Sequence, residues 1–181
     1  MNPIDVLQRE HQLIERMLSV LDALTSRAEA GEPVERADLE RCVKFFREFV
    51  DLGHHEKEES ILFPVLTDLG FDWSSGPLAR IRKEHDQERY LMRSLRHAAL
   101  QKSEWSVDGR RHFVSVAREF LELQRTHLMH ENLDLFPLAR TKLPEDRGAK
   151  VVASFENLDG ERENFDELVA SVGELYTRYR H

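Results

Sequence analysis

The sequence predicts an all-α fold: an antiparallel up-down-up-down four-helix bundle with an additional C-terminal helix. Three observations lead there. Apolar residues recur with a period close to 3.6 almost throughout, as in amphipathic helices. Only 8 Gly and 6 Pro stand among 181 residues, while Leu, Glu, Arg and Ala abound, a balance that favours long helices over many short strands. The chain also contains two similar halves, each readable as a helical hairpin.

The first helix is expected from about Asp5 to Glu29, with Ile4, Leu7, His11, Ile14, Leu18 and Leu21 on one face; Gly31, Glu32 and Pro33 break it. The second begins near Val34 and ends around Gly70, carrying Leu39, Val43, Phe46, Val50, His54, Leu62 and Leu66. The stretch FDWSSGP reads as a loop, and Pro77 suits the first turn of a third helix that carries Leu78, Ile81, His85, Met92 and Leu95 to about Leu100. A turn around Ser103–Gly109 leads to the fourth, with Phe113, Val116, Phe120, Leu123, His127, Leu135 and Leu138. A fifth is expected from Glu145 to Tyr179, with a break near Leu158–Gly160. Residues 1–143 would thus form the bundle. Residues 144–181 would form a helical extension that packs on it or makes a homodimer. Pro64 and Pro137 fall inside helical patterns; each removes a backbone donor, so a kink or a helix end is expected at both.

A net charge of −8 gives no basic face for nucleic acid or an anionic membrane. No apolar run reaches the roughly 18 residues of a membrane span, and the opening MNPIDVLQREH lacks the apolar stretch of a signal peptide. The single cysteine, Cys42, cannot form an internal disulfide, so a cytoplasmic protein is expected. The outlier is histidine: nine in all.

Four of the nine fall in a repeat. HHEKEESILFP (54–64) matches HLMHENLDLFP (127–137) at an offset of 73, placing His54 on His127, Glu58 on Glu131, Leu62 on Leu135 and Pro64 on Pro137. Upstream, REHQLIER (9–16) resembles KEHDQERY (83–90), with His11 on His85. Each half is therefore a helix with one His followed by a helix with His-x-x-x-Glu. A pair at i and i+4 shares a helix face, and His11 and His85 sit within apolar stripes. All six side chains should face the interior. Burying two carboxylates and four imidazoles uncompensated would cost several kcal/mol per charge, which metal ions would remove. Two bridging carboxylates with two His per ion describe a dinuclear nitrogen/oxygen site suited to iron, zinc or manganese. Iron is the first choice, because an open site of this kind in a helical bundle suits dioxygen chemistry.

The pattern His … His-x-x-x-Glu … His … His-x-x-x-Glu, with HHEKEESILFP its most distinctive stretch, resembles the hemerythrin-like (HHE cation-binding) domain over about residues 5–140. That resemblance implies an antiparallel four-helix bundle with a non-haem di-iron centre that binds dioxygen or related small molecules. It also implies that His11, His54, Glu58, His85, His127 and Glu131 are the ligands, both glutamates bridging. The oxygen-carrying hemerythrins have a second His one turn after the third-helix ligand, where this chain has Arg89. They also have an aspartate five residues after the fourth-helix His, where this chain has a glutamate after four. A four-His set points away from reversible oxygen carriage. It points instead to sensing or detoxifying oxygen, peroxide or nitric oxide, or to iron handling.

Around the site, Glu15 and Arg89 stand four residues after His11 and His85 and are expected to face inward, pairing with each other or with Glu15 as a supplementary ligand. His55 and Glu59 repeat the i, i+4 spacing, but their counterparts Leu128 and Asn132 cannot bind similarly, so a supporting hydrogen bond to a ligand imidazole is the reading for either. His130 should be solvated, and His97, His112 and His181 lie off the pattern. Phe46, Phe49, Phe63, Phe120 and Phe136 should form core around the site. Two further readings compete: a peroxide- or oxygen-consuming di-iron oxidase in which Glu15 or Tyr90 moves protons, and a zinc- or iron-stabilised helical interaction module. No fused flavin, haem or rubredoxin-like module is visible to supply electrons, which tilts against a self-sufficient enzyme.

Overall fold

A computed structural model describes residues 2–101 and 105–180; the expected turn at Ser103–Gly109 lies partly outside the described residues, and His181 wholly. These residues form helices and no strand. Helix α1 is Pro3–Glu29. The Asn2 side chain accepts from Ile4 N–H at 2.9 Å to start it, and Gly31, at φ +77°, ends it in a conformation that a side chain would strain. Helix α2, residues 36–68, runs as α-helical Arg36–Phe45, π-helical Phe46–His55 and Lys57–Leu62, then α-helical Phe63–Asp68. Helix α3 is Gly76–Ala99. Helix α4, residues 107–142, joins α-helical Val107–His130, π-helical Glu131–Leu135 and α-helical Phe136–Lys142. The C-terminal extension folds as two helices, α5 (Glu145–Gly160) and α6 (Phe165–Tyr179), parting where the break was expected.

Hydrogen bonds between neighbouring helices fix the direction of each. Lys57 reaches Glu10 while Cys42 reaches the Met17 carbonyl, so α2 descends beside α1. Arg36 donates to the Ala99 carbonyl, and His85 to Glu59, so α3 runs against α2. Arg110 meets the Glu32 carbonyl, and Arg140 meets Asp5, so α4 runs against α1. The topology is up-down-up-down, as predicted.

Neither proline ends its helix. The turn before each opens to π geometry: Phe63 N–H donates to the Glu58 carbonyl and Phe136 N–H to the Glu131 carbonyl, five residues back in both cases. A widened turn relieves the clash between a proline ring and the carbonyl four residues earlier.

The interior divides into two apolar clusters. One holds Phe45, Phe46, Phe49, Leu95, Phe113 and Phe120, and α6 covers it with Leu168, Val172 and Leu175. The other holds Ile4, Leu62, Phe63, Leu78, Leu135 and Phe136, and α5 adds Val151 and Phe155. Of the apolar positions expected to face the core, Leu138 alone is exposed; the widened turn before Pro137 has shifted the helical register past it.

Cys42 is fully buried, and burial pushes its thiol far above the usual range. Alkylation of the native chain by iodoacetamide should therefore be negligible, reaching one equivalent only in denaturant. Comparable labelling of the folded chain would mean that the α1–α2 packing opens.

Candidate metal centre

Between the two apolar clusters lies a polar layer. Here His11, His54, Glu58, His85, His127 and Glu131 converge, all buried, the two glutamates and two of the histidines to 0% exposure. The apolar seams place them. In α1 the inward positions are 4, 7, 11, 14, 18 and 21, and in α3 they are 78, 81, 85, 88, 92 and 95, alternating steps of three and four.

Each imidazole is held from outside. His11 Nδ1 donates to Asn132 Oδ1 at 3.2 Å, His54 Nδ1 to Glu10 at 2.8 Å, His85 Nδ1 to Glu59 at 2.6 Å, and His127 Nδ1 to Glu84 at 3.1 Å. These acceptors are carboxylate or amide oxygens and cannot donate. Every ring therefore keeps a proton on Nδ1 and turns Nε2 into the layer. Aromatic rings back two of them: Phe136 stacks on His11 with centroids 5.2 Å apart, and Phe63 lies parallel to His85 at 6.2 Å. The repeated Leu-Phe-Pro is thereby accounted for. Leucine fills the core, phenylalanine backs a neighbouring histidine, and proline marks the widened turn.

Inside the layer, the ligand-type nitrogens and oxygens face one another. His11 Nε2 and His54 Nε2 are 3.1 Å apart, and Glu131 Oε2 is 3.0 Å from His11 Nε2. Glu131 Oε1 lies 3.2 Å from His127 Nε2 and 3.9 Å from His85 Nε2. Glu58 spans the layer similarly, Oε1 being 3.9 Å from His54 Nε2 and Oε2 3.4 Å from His85 Nε2. Both oxygens of Glu58 and of Glu131, with Nε2 of His85 and of His127, have no hydrogen-bond partner. Two overlapping groups of donor atoms could hold cations: His11, His54 and Glu131, and Glu58, His85, His127 and Glu131. Such orphaned, convergent donors fit metal ions and little else.

The layer's electrostatics call for the same positive charge. Burial pushes the Glu58 carboxyl well up, helped by the negative charge of Glu131. Burial would do likewise to Glu131, but the His127, His11 and His54 imidazoles hold it well below the carboxylate range. Burial drives His85 down to about 4, whereas Glu131, Glu88 and Glu84 overcome burial at His127 and raise it to about 9.

A family model for the hemerythrin HHE cation-binding domain matches residues 2–139. The chain belongs to that family. No curated protein and no solved structure matches it. Hemerythrin-like domains bind metal cations, typically iron, and the His/Glu layer of this one fits that role. Among the described residues, no helix of this hemerythrin-like chain is long and apolar enough to cross a membrane.

Several expectations about the surroundings need correction. Glu15 is exposed and Arg89 does not pair with it: Arg89 binds Asp51 at 2.7 Å and Glu59 at 2.9 Å. The seam explains this, because after His11 and His85 the inward step is three residues, to Ile14 and Glu88. His55 makes no hydrogen bond to an imidazole. It lies buried in the layer, stacks on His85 with centroids 3.9 Å apart, and forms a third donor group with His85 and His127. The π-helical turn carries one residue more than an α turn, so two successive histidines enter the interior together. His130 is half-buried and donates to Glu84 at 2.7 Å. Tyr90 is exposed on a surface groove whose lining includes none of these donors.

Sequence reasoning missed Glu10, Glu84, Glu88 and Asn132. The signal for the first two was present: REHQ and KEHD both set a glutamate just before the histidine. Glu88, buried beside His55 with its carboxyl raised by burial to about 7, helps line a narrow cavity with Gln124, Met92, Phe46 and Phe120. Its free space is about 10 Å3, room for one water-sized molecule, and the Asp51–Arg89 pair stands at its outer end.

Because Glu58 is buried with neither oxygen satisfied, replacing it by an apolar residue of similar volume should help the metal-free chain. Glu58→Met is expected to raise its unfolding free energy in urea by about 1–3 kcal/mol, the cost of a buried polar group left without a partner. A loss of stability would show that the carboxylate is satisfied in the apo protein.

Proposed function

We propose that this protein is a non-haem dinuclear iron protein that binds or senses a small ligand, dioxygen, nitric oxide or peroxide, or serves iron handling. The observation that carries this reading is the set of Nε2 lone pairs and carboxylate oxygens aimed at one another with every Nδ1 already committed outward. His11 and His54 would hold one ion, and His85 and His127 the other, with His55 in reach of the second. Glu58 and Glu131, each presenting one oxygen to either side, would serve both. Four or five imidazoles with carboxylates, and no thiolate, suit iron, with zinc or manganese the alternatives. Iron in such a donor set supplies redox change and a Lewis-acidic attachment point for small ligands.

The residues around it do the rest. Glu10, Glu59, Glu84 and Asn132 orient the rings and keep their donor atoms inward. The apolar clusters above and below exclude water, and the narrow cavity at His55 admits only small molecules, with Glu88 and Gln124 as its polar lining.

Protein purified without oxygen should contain about two irons per chain and gain near-ultraviolet and visible absorption when air is admitted; two zincs or no metal would favour the structural module. His127→Ala should retain at most one iron, and Glu131→Leu, which removes oxygens from both donor groups, almost none. Full iron content in Glu131→Leu would sink this reading. Reversal of the bands on removing oxygen would mark a carrier or sensor, and sustained peroxide consumption an enzyme.

A further inference from the structure

The two halves of the layer differ in several places, and one difference leads out to the C-terminal extension. Under the repeat, Glu10 corresponds to Glu84, and the side chain that donates to each differs: Lys57 on one side, His130 on the other. His130 opens partly to solvent, whereas Lys57 is 1% exposed. A buried ammonium needs close anions. Lys57 finds Glu10 on α1 and, at 2.6 Å, Asp159 near the end of α5, with the Phe155 and Phe165 rings around it. A continuous chain therefore runs from His54 through Glu10 and Lys57 to Asp159, a residue beyond the stretch matched by the family model.

The same segment grips the turn that presents His54. Arg162 donates to the Glu48 carbonyl, and its guanidinium lies where a Cβ on Gly53 would collide with it. Asn164 donates to the Glu48 side chain. Among the described residues nothing comparable attaches to the fourth helix.

We propose that the C-terminal extension is part of the metal centre: Asp159, acting through Lys57 and Glu10, is a positioning residue that strengthens the His54 side of the site and makes the two metal positions unequal. The proposal rests on the dinuclear reading above. Asp159 takes up part of the Lys57 charge and leaves Glu10 free to hold the His54 Nδ1 proton and keep the ring a strong donor. With Asp159 neutralised, Lys57 turns wholly to Glu10, and His54 loses electron density toward its metal.

The test is anaerobic titration of the apo protein with ferrous iron against a competing chelator. In Asp159→Asn, one of the two equivalents should weaken roughly tenfold, the low end of the range for groups that support a ligand. The other equivalent should stay within about twofold, with apo helix content and Tm unchanged and wild-type affinity restored by Asp159→Glu. In a Glu10→Gln background, adding Asp159→Asn should weaken iron no further, because its route is already cut. If Asp159→Asn does not fold without metal, Asp159→Ser takes its place with the same expectations. Unchanged binding of both equivalents, equal weakening of both, or a further loss in the Glu10→Gln background would overturn the proposal. A wild-type chain that takes up no iron would instead overturn the dinuclear reading itself.

Discussion

The structure depends on one constraint: each of four buried histidines has its outer nitrogen hydrogen-bonded to an oxygen that can only accept. That single choice fixes the tautomer, and the tautomer fixes where the lone pairs go. Once four Nε2 atoms and two carboxylates share a closed layer, the protein leaves most of them without a hydrogen-bond partner. The outer shell is therefore as much a determinant of the site as the donors. It is also placed economically, since Glu10 and Glu84 precede the inward histidines of their own helices yet hold histidines on the next ones.

The two apolar clusters on either side follow from this layer. A bundle with a polar section must build its hydrophobic contacts above and below it, and the large aromatic residues are distributed accordingly. Phe45, Phe46, Phe49, Phe113 and Phe120 occupy one side, and Phe63, Phe136 and Phe155 the other. The extension adds an apolar face to both, α6 to the first and α5 to the second, so the layer is enclosed by six helices rather than four.

Much of the fold was legible because its signals are local. The seams of α1 and α3, the breaks at Gly31 and Gly70, and the repeat of His-x-x-x-Glu all survive in the structure as read. What could not be read was the widening of the turns. A proline in a helix announces a fault but not its form, and the π geometry that absorbs it changes which face a residue occupies. Hence Leu138 was assigned to the core and lies outside. The π stretch that ends at His55 lies apart from either proline and carries no such mark, so His55 was assigned to a supporting hydrogen bond and instead joins the donors. Glu15 and Arg89 illustrate a second limit. Counting four residues from a histidine ignores that an apolar seam alternates threes and fours, and the alternation chose Ile14 and Glu88. Lys57 and Asp159 illustrate a third, since a pairing across 102 residues leaves no periodic trace.

The widened turns also separate what the two halves share from what sets them apart. The π turn before Pro64 and the one before Pro137 occupy equivalent places in the two halves. The longer π stretch at Phe46–His55 has no counterpart among the described residues of the second half, and it is the stretch that Arg162 holds through Glu48. The tail thus seizes the one stretch of backbone that the second half does not reproduce, and the two halves are not interchangeable.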